Sequence, residues 1–188
     1  MSNPKLLVIV ASTRPGRVGR PVADWFLEAA REHGGFEIEE ADLLELNMPM
    51  LDEPNHPRLR NYTHEHTKKW SATVDAADAI VWVTPEYNHS YPASLENAVD
   101  YLFHEWQYKP VGFVSYGGIA AGTRSVQALK PVAQAVGLVS VVNLVNLAWV
   151  HSHLQDGVFV AGEDEKTAAE TMLDEMLHLH SGLSVLRQ

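Results

Sequence analysis

Four short apolar runs, at residues 6–11, 79–83, 111–114 and 138–142, constrain this chain more than any other feature. They are rich in β-branched residues and continuous rather than alternating, the pattern of strands covered on both faces, as in a parallel sheet. Between and after them, apolar residues recur at helical spacing over about 21–33, 61–77, 93–104, 122–136 and 163–181. Parallel strands need crossovers, and those crossovers are right-handed. The alternation therefore predicts an α/β fold, a doubly wound five-stranded parallel sheet with helices on both faces. The alternating segment 36–41 supplies the fifth strand, half-buried at an edge. Pro49, Pro54 and Pro57 exclude regular structure from 47–57, a length of irregular chain that marks a functional or mobile segment. With 188 residues, one domain spanning 1–188 is expected.

The first strand runs directly into Ser12-Thr13-Arg14-Pro15-Gly16-Arg17-Val18-Gly19-Arg20, and a helix follows at once. A loop so placed ends on a helix N-terminus, where unpaired N–H groups and the positive end of the helix dipole attract a phosphate. Gly16 and Gly19 allow close backbone approach, and the hydroxyls and guanidiniums of the loop suit phosphate oxygens. Neither G-x-x-x-x-G-K-[ST] nor G-x-G-x-x-G is present, so a mononucleotide phosphate fits better than a P-loop nucleotide or a Rossmann dinucleotide. With this loop after the first strand, strand order 2-1-3-4-5 is expected, with ligand at the switch point between strands one and three. Three loops then converge there: 12–19, 84–92 and 115–118.

Composition removes other classes. A formal net charge of -10 argues against general nucleic-acid or anionic-membrane binding, which need a basic face. The absence of cysteine excludes disulfides, thiolate catalysis and zinc–thiolate sites. No basic segment leading into a long apolar stretch opens the chain and no 18-residue apolar run occurs, so a cytoplasmic protein is expected.

Ser12-x-Arg14 with Arg17 to Gly19, the loop Pro85-Glu86-Tyr87-Asn88-x-Ser90-x-Pro92, and the Leu95-x-Asn97-Ala98-x-Asp100-x-Leu102 helix together resemble the NADPH-dependent FMN reductase family, whose fold is flavodoxin-like. The likeness covers most of the chain. It implies FMN as cofactor, NAD(P)H as co-substrate, and reduction of free flavin, quinone or a similar small-molecule electron acceptor by a ping-pong mechanism. Carried over by position, Ser12, Arg14, Arg17, Val18 and Gly19 would hold the phosphate. Pro85, Glu86, Tyr87 and Asn88 would line the flavin ring, and Ser115, Tyr116, Gly117 and Gly118 would flank its other side. The chain departs from the family pattern at Ala11, Arg17 and Ala93, where Gly, Ser and Gly are common. A non-enzymatic electron carrier of flavodoxin type is the alternative.

Physical reading of the residues gives a compatible site. A flat, largely apolar ring with one polar edge needs an aromatic wall and backbone donors, and Tyr87, Tyr91 and Tyr116 can supply the wall. Glu86 and Asp100 are expected to be structural rather than catalytic, and no catalytic side chain is assigned. His64/His66, His151/His153 and His178/His180 stand two apart, a spacing that places helical residues on different faces, so no metal site is expected. Trp149 and His151, just after the last strand, stand where they could approach a ligand of the same or of a neighbouring subunit. A homodimer or homotetramer is expected, because Tyr101, Phe103 and Trp106 read as surplus aromatics on the surface of the 93–104 helix.

Overall fold

The computed structural model describes residues 3–187; residues 1, 2 and 188, at the ends of the expected domain, lie outside it. The elements run β1 (Lys5–Val10), α1 (Gly19–His33), β2 (Glu37–Asp42), α2 (Leu43–Leu46), α3 (Glu65–Ala76), β3 (Ala79–Pro85), α4 (Ala93–Asp100), β4 (Pro110–Tyr116), α5 (Thr123–Ala135), β5 (Val139–Ser140), β6 (Val145–Leu147), β7 (Leu154–Gln155), β8 (Val158–Phe159) and α6 (Glu163–Leu183). The main sheet is parallel with order β2-β1-β3-β4-β5, and β6 also pairs with β4. This is the flavodoxin-like order expected from the sequence.

Because successive strand residues point to opposite faces, the apolar runs feed two cores. Leu6, Val8 and Val10 of β1 join Ala79, Val81 and Val83 of β3 beneath α1 and α6. Leu7 and Ile9 join Ile80 and Trp82 beneath α3, α4 and α5. On the first face α6 lies so close to β4 that a Cβ at Gly112 would stand 2.8 Å from Met176 Sδ and 2.9 Å from Met172 Sδ. On the second, Trp82 meets Trp106 and Phe113 edge-on, and Trp106 meets Trp70.

Three expectations need correction. The helix read as 93–104 ends at Asp100, and Tyr101 and Trp106 are fully buried; only Phe103 is partly exposed, with the Arg58 guanidinium 4.2 Å from its ring centre. Two of the three surface aromatics invoked for a partner, Tyr101 and Trp106, are thus core residues. The strand read as 138–142 is broken into β5 and β6, because the Glu175 carboxylate of α6 takes the N–H groups of Val142 and Asn143, both at 2.8 Å. The 61–77 helix begins only at Glu65, since Glu53 accepts from the N–H groups of Thr63 and His64 and anchors the chain there in extended form. These two bonds outweigh burial and hold the Glu53 carboxyl down at about 2.

The irregular segment 47–56 is fastened across α4. Asn97 accepts from Leu51 N–H and donates to the Pro49 carbonyl, both at 2.8 Å, and the Tyr101 hydroxyl donates to Asp52 at 2.9 Å. His64 precedes α3 in extended conformation, so its ring lies parallel to that of His66 and both face Asp52, contrary to the helical spacing argument. Trp82→Ala should lower unfolding free energy by about 3–5 kcal/mol, since it opens a cavity against two aromatics; urea unfolding with a loss below about 1 kcal/mol would show that this face is not tightly packed.

Candidate functional site

The carboxyl ends of β1, β3, β4 and β6 open on a cavity of about 550 Å³. Arg14, Arg17 and Val18 line it from the first loop, Pro85, Glu86 and Tyr87 from the second, Tyr116, Gly117 and Gly118 from the third, and Trp149 to Ser152 from the segment after β6. The three loops expected to converge therefore do so. The fourth wall holds Trp149 and His151, which the sequence left open between the site of the same subunit and that of a neighbour.

The first loop is built by one ion pair. Arg17 donates to both carboxylate oxygens of Asp42, at 2.6 and 2.5 Å, and to the Ser12 carbonyl at 2.6 Å. Asp42 ends β2, opposite Val10 of β1, and its side chain also accepts from Leu44 N–H at the start of α2. Burial alone would raise the Asp42 carboxyl, but the Arg17 fork, the Leu44 N–H and the nearby Arg20 hold it below the ordinary range. Arg20 pairs with Asp24, Glu40 and Asp42. Of the three arginines read as phosphate donors by charge alone, two are thus committed within the protein. Arg14 is exposed and makes no ion pair or side-chain hydrogen bond with any described residue.

The start of α1 is free. Val18 is its N-cap without a side-chain cap, and its first turn holds no acidic residue. The N–H groups of Val18, Gly19 and Arg20 find no acceptor among the described residues. Gly19 is required by close approach: a Cβ there would lie 2.2 Å from Ser12 Oγ and 2.3 Å from the Tyr116 hydroxyl. Those two hydroxyls are buried and without hydrogen-bond partners, close to the start of α1.

In the second loop, Tyr87 and Ser90 exchange N–H···O bonds at 2.8 and 2.9 Å around Asn88 and His89, which both have positive φ. That is a two-residue hairpin turn, and asparagine tolerates its geometry. Asn88 is exposed on the turn and does not line the cavity. Glu86 is held by Arg124 at 2.7 Å and accepts from Arg124 N–H at the start of α5, so its carboxylate is committed to the fold. Tyr91 lies outside the cavity in the second core; burial and then Glu96 push its hydroxyl up to about 12. Asp100 is exposed at the end of α4, away from the cavity.

In the third loop Ser115 is fully buried, its Oγ 2.8 Å from the Ala121 carbonyl and 2.9 Å from the Asn146 side chain, where it shapes the turn from beneath. Tyr116 is 4% exposed, and burial raises its hydroxyl pKa. Gly117 and Gly118 are bonded to the fourth wall: Gly117 N–H donates to Leu147, while Trp149 and Val150 N–H groups donate to Gly118 and Gly117. Gly118 lines the cavity, and its N–H is unpaired among the described residues.

An uncapped helix start, a free guanidinium and a large apolar cavity with a glycine floor suit a phosphorylated molecule bearing a flat ring. Fold and site together thus define a flavodoxin-like α/β protein of the mononucleotide-binding kind. The chain belongs to the NADPH-dependent FMN reductase family, whose family model matches residues 4–151. An NAD(P)H-dependent FMN reductase of Schizosaccharomyces pombe is 45% identical over 132 residues, 69% of this chain and 66% of that protein. One from Saccharomyces cerevisiae is 36% identical over 125 residues, 61% of this chain and 65% of that protein. The chain thus spans slightly less than two thirds of the length of these relatives. An NADPH azoreductase of a Bacillus species is 29% identical over 92% of this chain and 90% of its own. Among solved structures, the NAD(P)H:acceptor oxidoreductase FerB of Paracoccus denitrificans shares the fold with a TM-score of 0.76 at 19% identity, covering 95% of this chain and 98% of that one.

Asp42→Asn should cost roughly 3–5 kcal/mol at neutral pH, because it strands a buried guanidinium. Asp42 has a folded pKa below its unfolded value, so its contribution is complete above the unfolded value and is lost as pH falls through the folded one. The gap between wild type and variant should therefore shrink below about pH 4. Denaturation curves showing a gap that is absent at pH 7, or unchanged into acid, would contradict this account of the loop.

Proposed function

We propose that the chain is an FMN-dependent oxidoreductase that takes hydride from NAD(P)H and reduces free flavin, quinone or a similar flat acceptor by a ping-pong mechanism. The observation that carries this reading is the pairing, in one cavity, of a free helix N-terminus and unpaired Arg14 at one end with an apolar, glycine-floored space at the other. Family membership and the activities for which the relatives are named support the same assignment.

Arg14 and the N–H groups of Val18, Gly19 and Arg20 would hold the phosphate, with Arg17 acting through Asp42 to fix the loop and Ser12 packed beneath it. Pro85, Glu86, Tyr87, Gly117 and Gly118 would enclose the ring, and the Gly118 N–H offers it a hydrogen bond. Asn88, Ser115 and Tyr116 shape those walls. FMN, when bound, supplies the hydride chemistry. The protein contributes a preformed loop, an apolar wall that excludes water and a fixed amide donor. Glu86 is tied to Arg124 and is assigned no proton transfer.

A homo-oligomer also belongs to this reading, now on a different surface. Leu44, Leu46, Met50 and Leu51 are 45%, 42%, 75% and 43% exposed along α2 and the segment beside α4. Such a cluster favours a second copy.

Purified protein should carry flavin absorbance and oxidise NAD(P)H with menadione or free FMN; bound FMN without oxidation would make it an electron carrier instead. Light scattering should give a multiple of 20.9 kDa, and the monomer mass at micromolar concentration would reject the oligomer. Arg14→Ala should raise the FMN dissociation constant roughly 10- to 100-fold, since a hydrogen bond to a charged group contributes about 1.5–3 kcal/mol. Riboflavin, which lacks the phosphate, should bind the variant as it binds wild type. Equal weakening of both ligands, or no change in either, would remove the phosphate assignment.

A further inference from the structure

Trp149 stands apart from the other tryptophans. Trp25, Trp70, Trp82 and Trp106 each pack against another aromatic ring, and the last three are almost wholly buried. Trp149 is 61% exposed, makes no aromatic pair with a described residue, and its indole N–H has no described acceptor. Yet its backbone is in the left-handed region at φ 50 and ψ 41, a conformation that costs a bulky residue energy and that glycine adopts freely.

The backbone is held there without help from the side chain. Trp149 N–H donates to the Gly118 carbonyl at 3.1 Å, and Val150 N–H donates to Gly117 at 3.1 Å. The Trp149 carbonyl accepts from Ser152 N–H at 2.7 Å and from Ser152 Oγ at 2.8 Å. Three main-chain bonds and one from the Ser152 hydroxyl therefore present an indole that contributes little to folding. It is presented at the mouth of the cavity, on the segment after β6. In strand order that segment is at the opposite end of the cavity from Arg14, which follows β1.

A phosphate held at the Arg14 end would place the attached ring toward Gly117 and Gly118, and would leave the indole for a molecule entering from solvent. We propose that Trp149 is the stacking residue for the second, visiting substrate, a flat aromatic acceptor of the quinone class, and thereby selects planar acceptors over compact inorganic ones. The proposal rests on the FMN reading above. It adds a binding role for one side chain and no new chemical step.

The test uses the FMN-loaded protein and its Trp149→Gly and Trp149→Phe variants, with menadione as the planar acceptor and ferricyanide as one that cannot stack. An aromatic stacking contact is worth about 0.5–1.5 kcal/mol, which corresponds to roughly 2- to 12-fold in affinity. Trp149→Gly should raise KM for menadione by that factor. It should leave ferricyanide reduction and the FMN dissociation constant within about twofold of wild type, with Tm equal or higher because the backbone strain is relieved. Trp149→Phe, which keeps a flat ring, should retain most of the wild-type menadione KM. The proposal is overturned if menadione and ferricyanide are affected alike, or if FMN affinity falls while the menadione KM is unchanged, which would give the indole to the flavin. A lower Tm with unchanged KM overturns it too, by making Trp149 structural. Wild-type protein that binds no FMN fails earlier, at the proposed function, and takes this inference with it.

Discussion

The site depends on the fork between Arg17 and Asp42. Both side chains are nearly dry, at 10% and 1% exposure, so the pair is stable because the guanidinium meets the carboxylate in a two-pronged fork and each Asp42 oxygen takes a second donor. One Asp42 oxygen serves Arg17 and Leu44 N–H; the other serves Arg17 and Arg20. Arg17 meanwhile closes the loop on itself through the Ser12 carbonyl. The loop after β1 is thereby tied to the end of β2 before any ligand arrives, which spares binding the entropy of ordering it. The same pair neutralises the local positive charge except at Arg14, so a bound anion meets one free guanidinium and the amides of α1.

Around that anchor, the parallel sheet performs the alignment. Because β1, β3, β4 and β6 run in one direction, their carboxyl ends deliver four connections to a single edge. The break between β5 and β6 matters for the outer connection. Glu175 takes the amides of Val142 and Asn143, and the chain resumes at Val145 opposite Val114. Trp149 and Val150 bond to Gly118 and Gly117, so the outer wall and the glycine floor are tied together.

Much of this was legible in the sequence, for reasons that can be stated. The strands β1, β3 and β4 announce themselves because burial on both faces demands unbroken apolar runs. The three loops follow from where those runs stop. What escaped depends on partners distant in sequence. The pairing of Arg17 with Asp42 spans 25 residues, and charge counting sees a basic loop where the fold makes a nearly neutral one. Val142 looked like strand interior yet is 81% exposed, because its amide belongs to Glu175. Tyr101 and Trp106 looked like surplus surface because helical periodicity was extended past Asp100, where the helix stops. The role of Asn88 as a turn residue was available from its tolerance of positive φ, but not its distance from the cavity.

The central claim is that the loop between β1 and α1, fixed by Asp42, is a preformed phosphate site that favours the fully ionised phosphate. Phosphorus-31 NMR of the bound FMN across about pH 5 to 8 tests it most directly, since a free phosphate monoester loses its second proton near pH 6. Helix N–H groups and Arg14 together should hold the dianion throughout. The account predicts a resonance whose chemical shift does not move over that range. A titration with its midpoint at about 6, as for free FMN, would contradict it.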